Sequence, residues 1–233
     1  MKKTAVGVMV AVCAGIVLGV SACNDNDLTS AGTAVDLSAL INTYVGRPGS
    51  VALNFPSLTG SDAQGNTLNG SLSITPAAHA TVVNGTSCNS TVTRVTLTKN
   101  GATLYDSTST KYFKAANGSF YTMVRSSDHG DATYNRTSQD SFAGGSGSVH
   151  VGDSGNLGVF EGSTGARLTA TWTLDAAGDG GSVFVISQTY SSARAGMTTL
   201  EDRFYLDAKG VPNKFAFRIN TSEGTYSLSG NRN

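Results

Sequence analysis

A histidine, an aspartate and a serine occur in an order that hydrolysis by a catalytic triad can use. They are His79, Asp106 and Ser154, and the serine stands in the stretch GDSG at 152–155. In such a triad the histidine takes the proton of the serine hydroxyl and the aspartate orients the histidine, while backbone N–H groups stabilise the oxyanion. A hydrolase that uses these three residues is therefore one hypothesis for this chain.

Two short segments around these residues resemble chymotrypsin-like serine proteases. GDSG is similar to the segment around the nucleophile of that family, and Ala77-Ala78-His79 is similar to the segment around its histidine. The family continues GDSG with glycine and usually proline, whereas Asn156-Leu157 follows here, and Ala80 replaces the cysteine that follows the family's histidine. His79 and Ser154 are also too close in sequence to complete the paired barrels of that family. We therefore predict that the protein is not an enzyme.

Acidic residues and a histidine cluster in the segment SSDHGD. The weak metal candidates are Asp128, His129 and Asp131, and a further pair is His150 and Asp153. Oxygen-rich loops hold calcium, and a histidine with carboxylates holds a transition metal. The regular spacing of a calcium loop is absent, and the same residue types are common in solvated turns. We therefore predict no metal and no cofactor.

Several aromatic side chains fall in the C-terminal part of the chain, where they share strands with apolar neighbours. Barrels of about eight strands or more can enclose a small apolar ligand. A carrier of such a ligand is therefore a second hypothesis, and the alternative is that these aromatic rings form an ordinary core. The cavity candidates are Trp172, Phe184, Phe204, Phe215 and Phe217.

The elements that must position these residues are β-strands, because apolar and polar residues alternate with a period of two from residue 50 onward. The clearest runs are 168–174 and 214–219, and further runs are 92–98, 112–115, 120–125, 183–190 and 198–207. Asn100-Gly101 and Asn117-Gly118 predict type I′ hairpin turns, since both residues of each pair accept a positive φ. The predicted fold is all-β, an antiparallel meander that forms either a barrel-like domain or a two-sheet sandwich.

One short amphipathic helix precedes the strands. Asp36 can cap its start, and Gly46 and Pro48 can end it. Its apolar stripe must be buried, so we expect the helix to cover a barrel mouth or a sheet edge. The stripe consists of Leu37, Leu40, Ile41, Tyr44 and Val45.

The N-terminal residues predict export and a lipid anchor. Lys2 and Lys3 precede an uncharged apolar run at 5–20, as in a signal peptide. The following Val20-Ser21-Ala22-Cys23 resembles the lipobox of bacterial lipoproteins, in which a signal peptidase cuts before the cysteine and the cysteine receives the lipid. The resemblance implies a signal peptide at 1–22 and a palmitate-bearing Cys23. A flexible tether then extends to residue 35, and a single β-rich domain spans 36–233.

The same resemblance implies a place in the bacterial cell envelope. Asn24 follows the cysteine, where an aspartate often retains enteric lipoproteins in the inner membrane, so the outer membrane is favoured if the source is Gram-negative. Lys2 and Lys3 precede Cys23 and all 16 acidic residues follow it, so residues 23–233 carry a net charge of −2. This charge argues against nucleic-acid binding.

We therefore predict a lipid-anchored envelope protein whose β-domain binds or has a structural role without catalysis. Its expected partners are the membrane, through the N-terminal lipid, and an envelope protein, a glycan or a small apolar ligand. A membrane-spanning barrel is the weaker alternative, because several predicted strands are short and aromatic residues make up only 8% of the chain.

Overall fold

A computed structural model describes residues 34–127, 132–137, 148–178, 180–192, 196–221 and 224–233. Within these residues the chain forms one antiparallel β-barrel of 12 strands with a single short helix. The all-β prediction is confirmed, and the barrel rather than the two-sheet sandwich is the arrangement found. The predicted signal peptide, Cys23 and residues 24–33 of the predicted tether lie outside the described residues. The last two residues of that tether, Ala34 and Val35, lie in a short strand that pairs with residues 149 and 150.

One helix and 15 strands follow one another along the described chain. They are β1 (Ala34–Asp36), α1 (Ser38–Tyr44), β2 (Leu53–Asp62), β3 (Thr67–Pro76), β4 (Thr81–Val83), β5 (Thr86–Lys99), β6 (Ala102–Lys114), β7 (Phe120–Ser127), β8 (Ala132–Arg136), β9 (Ser148–His150), β10 (Ser154–Gly162), β11 (Arg167–Ala176), β12 (Ser182–Ser192), β13 (Gly196–Leu206), β14 (Pro212–Thr221) and β15 (Gly224–Asn231). Strands β1 and β9 form a separate two-stranded sheet, and β4 pairs only with the start of β5.

Two pairings between strands that do not follow one another in sequence complete the barrel. The last strand, β15, pairs with β2, with Tyr226 opposite Asp62 and Ser229 opposite Thr59. Strand β3 pairs with β5 rather than with the intervening β4, and Leu68 lies opposite Lys99. Every barrel strand therefore has a neighbour on both sides, and the ring of backbone hydrogen bonds is continuous.

The hairpin turns confirm one of the two Asn-Gly predictions. Asn100 and Gly101 have φ values of 51° and 82°, as the type I′ turn between β5 and β6 requires. At Asn117-Gly118 the type I′ prediction is wrong, because only Gly118 has a positive φ, 70°. There the loop is longer: Lys114 donates its N–H to the Ser119 carbonyl, and Gly118 donates to the Lys114 carbonyl. Such a loop needs one left-handed residue instead of two.

The alternation along each strand separates a buried interior from a hydrophilic outer wall. In β11 the side chains of Leu168, Ala170, Trp172 and Leu174 are buried, whereas the intervening residues at 169, 171 and 173 are threonines on the outer face. Threonines suit a pleated, half-exposed surface because their branched side chains pack along it while their hydroxyls reach water.

Helix α1 lies over one end of the barrel, as its apolar stripe predicts. The N-cap of the helix is Leu37, and the preceding Asp36 accepts a hydrogen bond from the Ser38 N–H through Oδ1 at 2.8 Å, which satisfies one free N–H group of the first turn. At its other end Thr91 Oγ1 donates to the Thr43 carbonyl at 2.9 Å. The Tyr44 ring meets Phe204 edge-on, with centroids 5.7 Å apart. The helix is therefore held by strands from opposite parts of the chain.

No helix within the described residues is long and apolar enough to cross a membrane.

Candidate functional site

The three residues of the hydrolase hypothesis lie on separate parts of the barrel. His79 is exposed in the connection between β3 and β4, and Ser154 is exposed at the start of β10. Four strands separate β3 from β10 by the shorter way round, and adjacent strands lie about 4.8 Å apart. Asp106 is on the outer face of β6, where it forms an ion pair with Arg94 at 3.2 Å. The described structure does not bring these side chains together as a triad.

The metal candidates Asp128, His129 and Asp131 lie outside the described residues. Within the described ranges no group of three or more His, Cys, Asp or Glu side chains is placed to hold a metal ion. Asp153 accepts a hydrogen bond from the His150 N–H at 2.7 Å. These two residues therefore stabilise the turn that follows β9.

The five cavity candidates all lie on the inner face of the barrel and pack against one another. Trp172 stacks on Phe184 with centroids 5.7 Å apart, and Phe215 lies 4.9 Å from Phe204 and 6.4 Å from Phe217. A space enclosed beside Phe215 and Phe217 measures about 10 Å³. That volume holds about one water molecule, so these rings form core at this position.

A buried polar cluster lies inside the barrel among these apolar groups. Lys111 on β6 and Asp202 on β13 are both fully buried, and Gln188 on β12 is 1% exposed. Lys111, Asp202 and Gln188 were not among the candidate residues, although the alternation carried a signal for them. Lys111 falls in phase with the buried Phe113, and Asp202 falls in phase with the buried Phe204. We treat Lys111, Asp202, Gln188 and Tyr44 of the helix as the interior cluster.

Burial leaves part of the interior cluster without hydrogen bonds. Gln188 Nε2 donates to Asp202 Oδ2 at 3.0 Å, and Lys111 Nζ donates to Thr93 Oγ1 at 3.2 Å. The buried atoms Asp202 Oδ1, Gln188 Oε1 and Tyr44 Oη have no hydrogen-bond partner among the described residues. Buried polar atoms of this kind are ordinarily satisfied by ordered water, or by a proton on the carboxyl group.

The environment of the interior cluster shifts two pKa values upward. Burial raises the pKa of Asp202 to about 7, although the positive charge of Lys111 acts in the opposite direction. Burial also raises the pKa of Tyr44 well above its usual value, and the nearby Asp202 charge adds to this effect. At neutral pH a fraction of the Asp202 carboxyl groups therefore holds a proton, and a protonated carboxyl group can donate a hydrogen bond inside the barrel.

A groove of about 420 Å³ crosses the outer wall over four neighbouring strands, β13, β14, β15 and β2. The strand register arranges its side chains in rows. In one row Tyr205 faces Lys214, and in the next Arg203 lies beside the short side chains of Ala216 and Ser229. In the third row Arg218 lies beside Ser227 and Ser61. We call this surface the basic groove, and its principal residues are Arg203, Tyr205, Lys214, Arg218, Ser227 and Ser229.

Positive charge exceeds negative charge in the basic groove. Arg203 forms an ion pair with Glu201, and the hydrogen bond that Arg203 Nε donates to that carboxylate raises the Arg203 pKa. Lys214 Nζ lies 4.9 Å from the centroid of the Tyr205 ring. Among the described residues, Arg218 is exposed and has neither an ion pair nor a side-chain hydrogen bond. Its guanidinium group is therefore available to an anion.

Comparison with known proteins identifies no relative: no family model matches the chain, and no match is found among curated proteins or solved structures. The fold defines the chain as a closed antiparallel β-barrel covered at one end by a helix.

Proposed function

We propose that this chain is a lipid-anchored protein of the bacterial cell envelope whose β-barrel binds a partner on its outer wall without catalysis. The observation that carries the binding proposal is the basic groove, a concave and charged surface on an otherwise hydrophilic wall. Its volume of about 420 Å³ falls within the usual range for ligand sites.

The anchor part of the proposal is supported by Val20-Ser21-Ala22-Cys23 and by the basic, then apolar, segment before it. Each acyl chain contributes about 0.8 kcal/mol per buried CH₂ group, and two or more chains anchor a protein stably. The polar residues 24–33 are expected to act as a tether of about 17 Å between Cys23 and β1. Such a tether holds the barrel at the membrane surface, and Asn24 favours the outer membrane of a Gram-negative cell.

The two alternative functions have less support. A carrier of an apolar ligand needs an interior cavity, whereas the aromatic candidates pack against one another beside a space of about 10 Å³. A hydrolase needs His79, Asp106 and Ser154 within hydrogen-bond reach, whereas the strand order separates them.

The anchor is tested by metabolic labelling with palmitate followed by membrane fractionation. We expect label in the wild type, no label in Cys23→Ser, and release of that variant from the membrane fraction. Cys88→Ser is the matched control, because it removes a cysteine of the barrel and leaves the lipobox intact. Palmitate label that persists in Cys23→Ser contradicts the proposed anchor.

The absence of catalysis is tested with a fluorophosphonate probe, which labels activated serines. We expect no labelling of the folded protein. Labelling that disappears in Ser154→Ala and remains in Ser227→Ala, a serine of the outer wall, would establish the hydrolase alternative instead.

A further inference from the structure

We propose that the basic groove binds an acidic oligosaccharide, that is, a chain of sugars that carries repeated carboxylates. This inference rests on the proposed binding function and names the chemical class of the partner. It follows from the spacing of the positive charges, the hydroxyl groups between them and, within the described residues, the absence of an ion pair at Lys214 and Arg218.

The positive charges are spread along the groove. Lys214 and Arg218 are four residues apart on the same face of β14, and a strand rises about 3.4 Å per residue, so their backbone positions lie about 13 Å apart. Arg203 lies on the neighbouring strand opposite Ala216, halfway between them. A single compact anion cannot reach charges at this spacing, whereas an extended chain with repeated negative charges can.

The charges are also open to a ligand. Lys214 and Arg218 have no ion pair within the described residues, and the one carboxylate in the register beside them, Glu201, is paired with Arg203. An arginine guanidinium group binds a carboxylate through two parallel hydrogen bonds, and a lysine supplies a point charge. A carboxylate-bearing ligand is therefore complementary to both side chains.

The floor of the groove carries hydroxyl groups. Thr59, Ser61, Ser227 and Ser229 line it, and no side-chain hydrogen bond occupies their hydroxyls within the described residues. Hydroxyls both donate and accept, as the hydroxyls of a sugar do. Tyr205 adds an aromatic edge to one end of the groove. Nucleic acid fits this surface less well, because the chain carries a net charge of zero and only three basic side chains, Arg203, Lys214 and Arg218, line the groove.

The inference is tested by calorimetric titration of the full chain, purified in a non-ionic detergent, with tetragalacturonate at low ionic strength. Maltotetraose, a neutral chain of the same length, serves as the ligand control. We expect binding of tetragalacturonate and none of maltotetraose. The double variant Lys214→Ser, Arg218→Ser is expected to weaken binding about tenfold or more, because two charge-assisted contacts are removed.

The matched protein control is Lys114→Ser with Arg167→Ser, which removes one lysine and one arginine from exposed positions on β6 and β11. This control is expected to bind as the wild type does, and the melting curves of both double variants should match that of the wild type. The inference is overturned if tetragalacturonate does not bind, if maltotetraose binds equally, or if the two double variants lose binding to the same extent.

These outcomes are separable from a failure of the proposed anchor. Palmitate label at Cys23 without tetragalacturonate binding overturns the groove inference alone. Binding that depends on Lys214 and Arg218 supports the inference even where Cys23 carries no label.

Discussion

Asp62 Oδ2 lies 2.6 Å from Lys99 Nζ, and this ion pair joins the end of β2 to the end of β5 across the intervening β3. The same carboxylate accepts hydrogen bonds from the N–H groups of Gln64 and Asn66 at 3.0 and 2.8 Å, and from Asn66 Nδ2 at 2.7 Å. One buried side chain therefore fixes the β2–β3 turn and ties it to the neighbouring strand.

We predict that this carboxylate gives the fold an acid-sensitive element. The Lys99 ammonium, followed by the hydrogen bonds from Asn66 and Gln64, holds the Asp62 pKa well below its ordinary value of 3.8. A depressed pKa contributes stability above the unfolded-state value, and this contribution is lost as the pH falls below about 4. Urea unfolding at pH 6 and pH 3 should show that Asp62→Asn lowers the free energy of unfolding at pH 6. The variant should also lose less of this free energy between pH 6 and pH 3 than the wild type does.

The control for Asp62→Asn is Asp106→Asn, which removes an exposed ion pair with Arg94. Exposed pairs contribute about 0–1 kcal/mol, so this variant should lie close to the wild type at both pH values. Equal effects of the two substitutions would contradict the role given to Asp62.

Asp202 should affect the pH dependence of stability in the opposite direction to Asp62, and it should do so at higher pH. Its folded-state pKa is raised from 3.8 to about 7, so between these values the folded state holds a proton that the unfolded state has lost. Stability therefore falls as the pH rises from about 4 to 7, by about 4 kcal/mol in total. Asp202→Asn, which stays neutral, should remove this fall in urea unfolding curves. An unchanged pH dependence in the variant would show that Asp202 is ionised throughout.

Substitution of Gly46 by alanine should destabilise the protein for two reasons, a positive φ and a close contact with the backbone of β5. Its φ is +65°, and a Cβ would lie 2.3 Å from the Ser90 carbonyl oxygen. Gly85 has a φ of +77° with nothing within 4 Å, so it isolates the conformational cost alone. We expect Gly85→Ala to cost about 1–2 kcal/mol and Gly46→Ala to cost clearly more, since α1 must also shift from β5. Thermal melts of the two variants compare these costs, and equal losses would contradict the close approach.

Cys88 should be unreactive in the folded protein. Its side chain is fully buried, and burial raises the pKa of its thiol, while the nearby Lys114 opposes this shift. The thiolate is the reactive form, so native Cys88 should resist alkylation and react only after unfolding in urea. Mass spectrometry of the peptide that contains Cys88 measures this directly. Rapid labelling under native conditions would show that the thiol is accessible.

The features that the sequence predicts here are those encoded locally. Alternation in 168–174 predicts a half-buried strand. Asn100-Gly101 predicts the turn between β5 and β6, because a type I′ turn needs two adjacent residues with a positive φ. Asn117-Gly118 shows the limit of this argument, since the number of loop residues decides how many left-handed positions are needed. Closure of the barrel has no local signal, because it depends on the pairing of Tyr226 with Asp62.

The candidate sites were harder to predict for the same reason. Lys214 and Arg218 are visibly on one face of a strand, but Arg203 joins them only once the register of β13 and β14 is known. Lys111 and Asp202 are charged residues at inward positions, and a pattern of apolar residues alone does not anticipate them. Their burial depends on strands that are distant in sequence and on the helix that covers them.

The pairing of β15 with β2 has a consequence for how the chain reaches its fold. Strand β2 begins at Leu53, and its partner residues are at 226–229, so the barrel cannot close until almost the whole chain is present. Before that moment the growing sheet has two open edges that other strands can join. Loop closure over so long a segment is slow compared with hairpin formation. A chain that lacks β15 would therefore keep one open edge on β2 and another on β14, and it should assemble into polymers edge to edge.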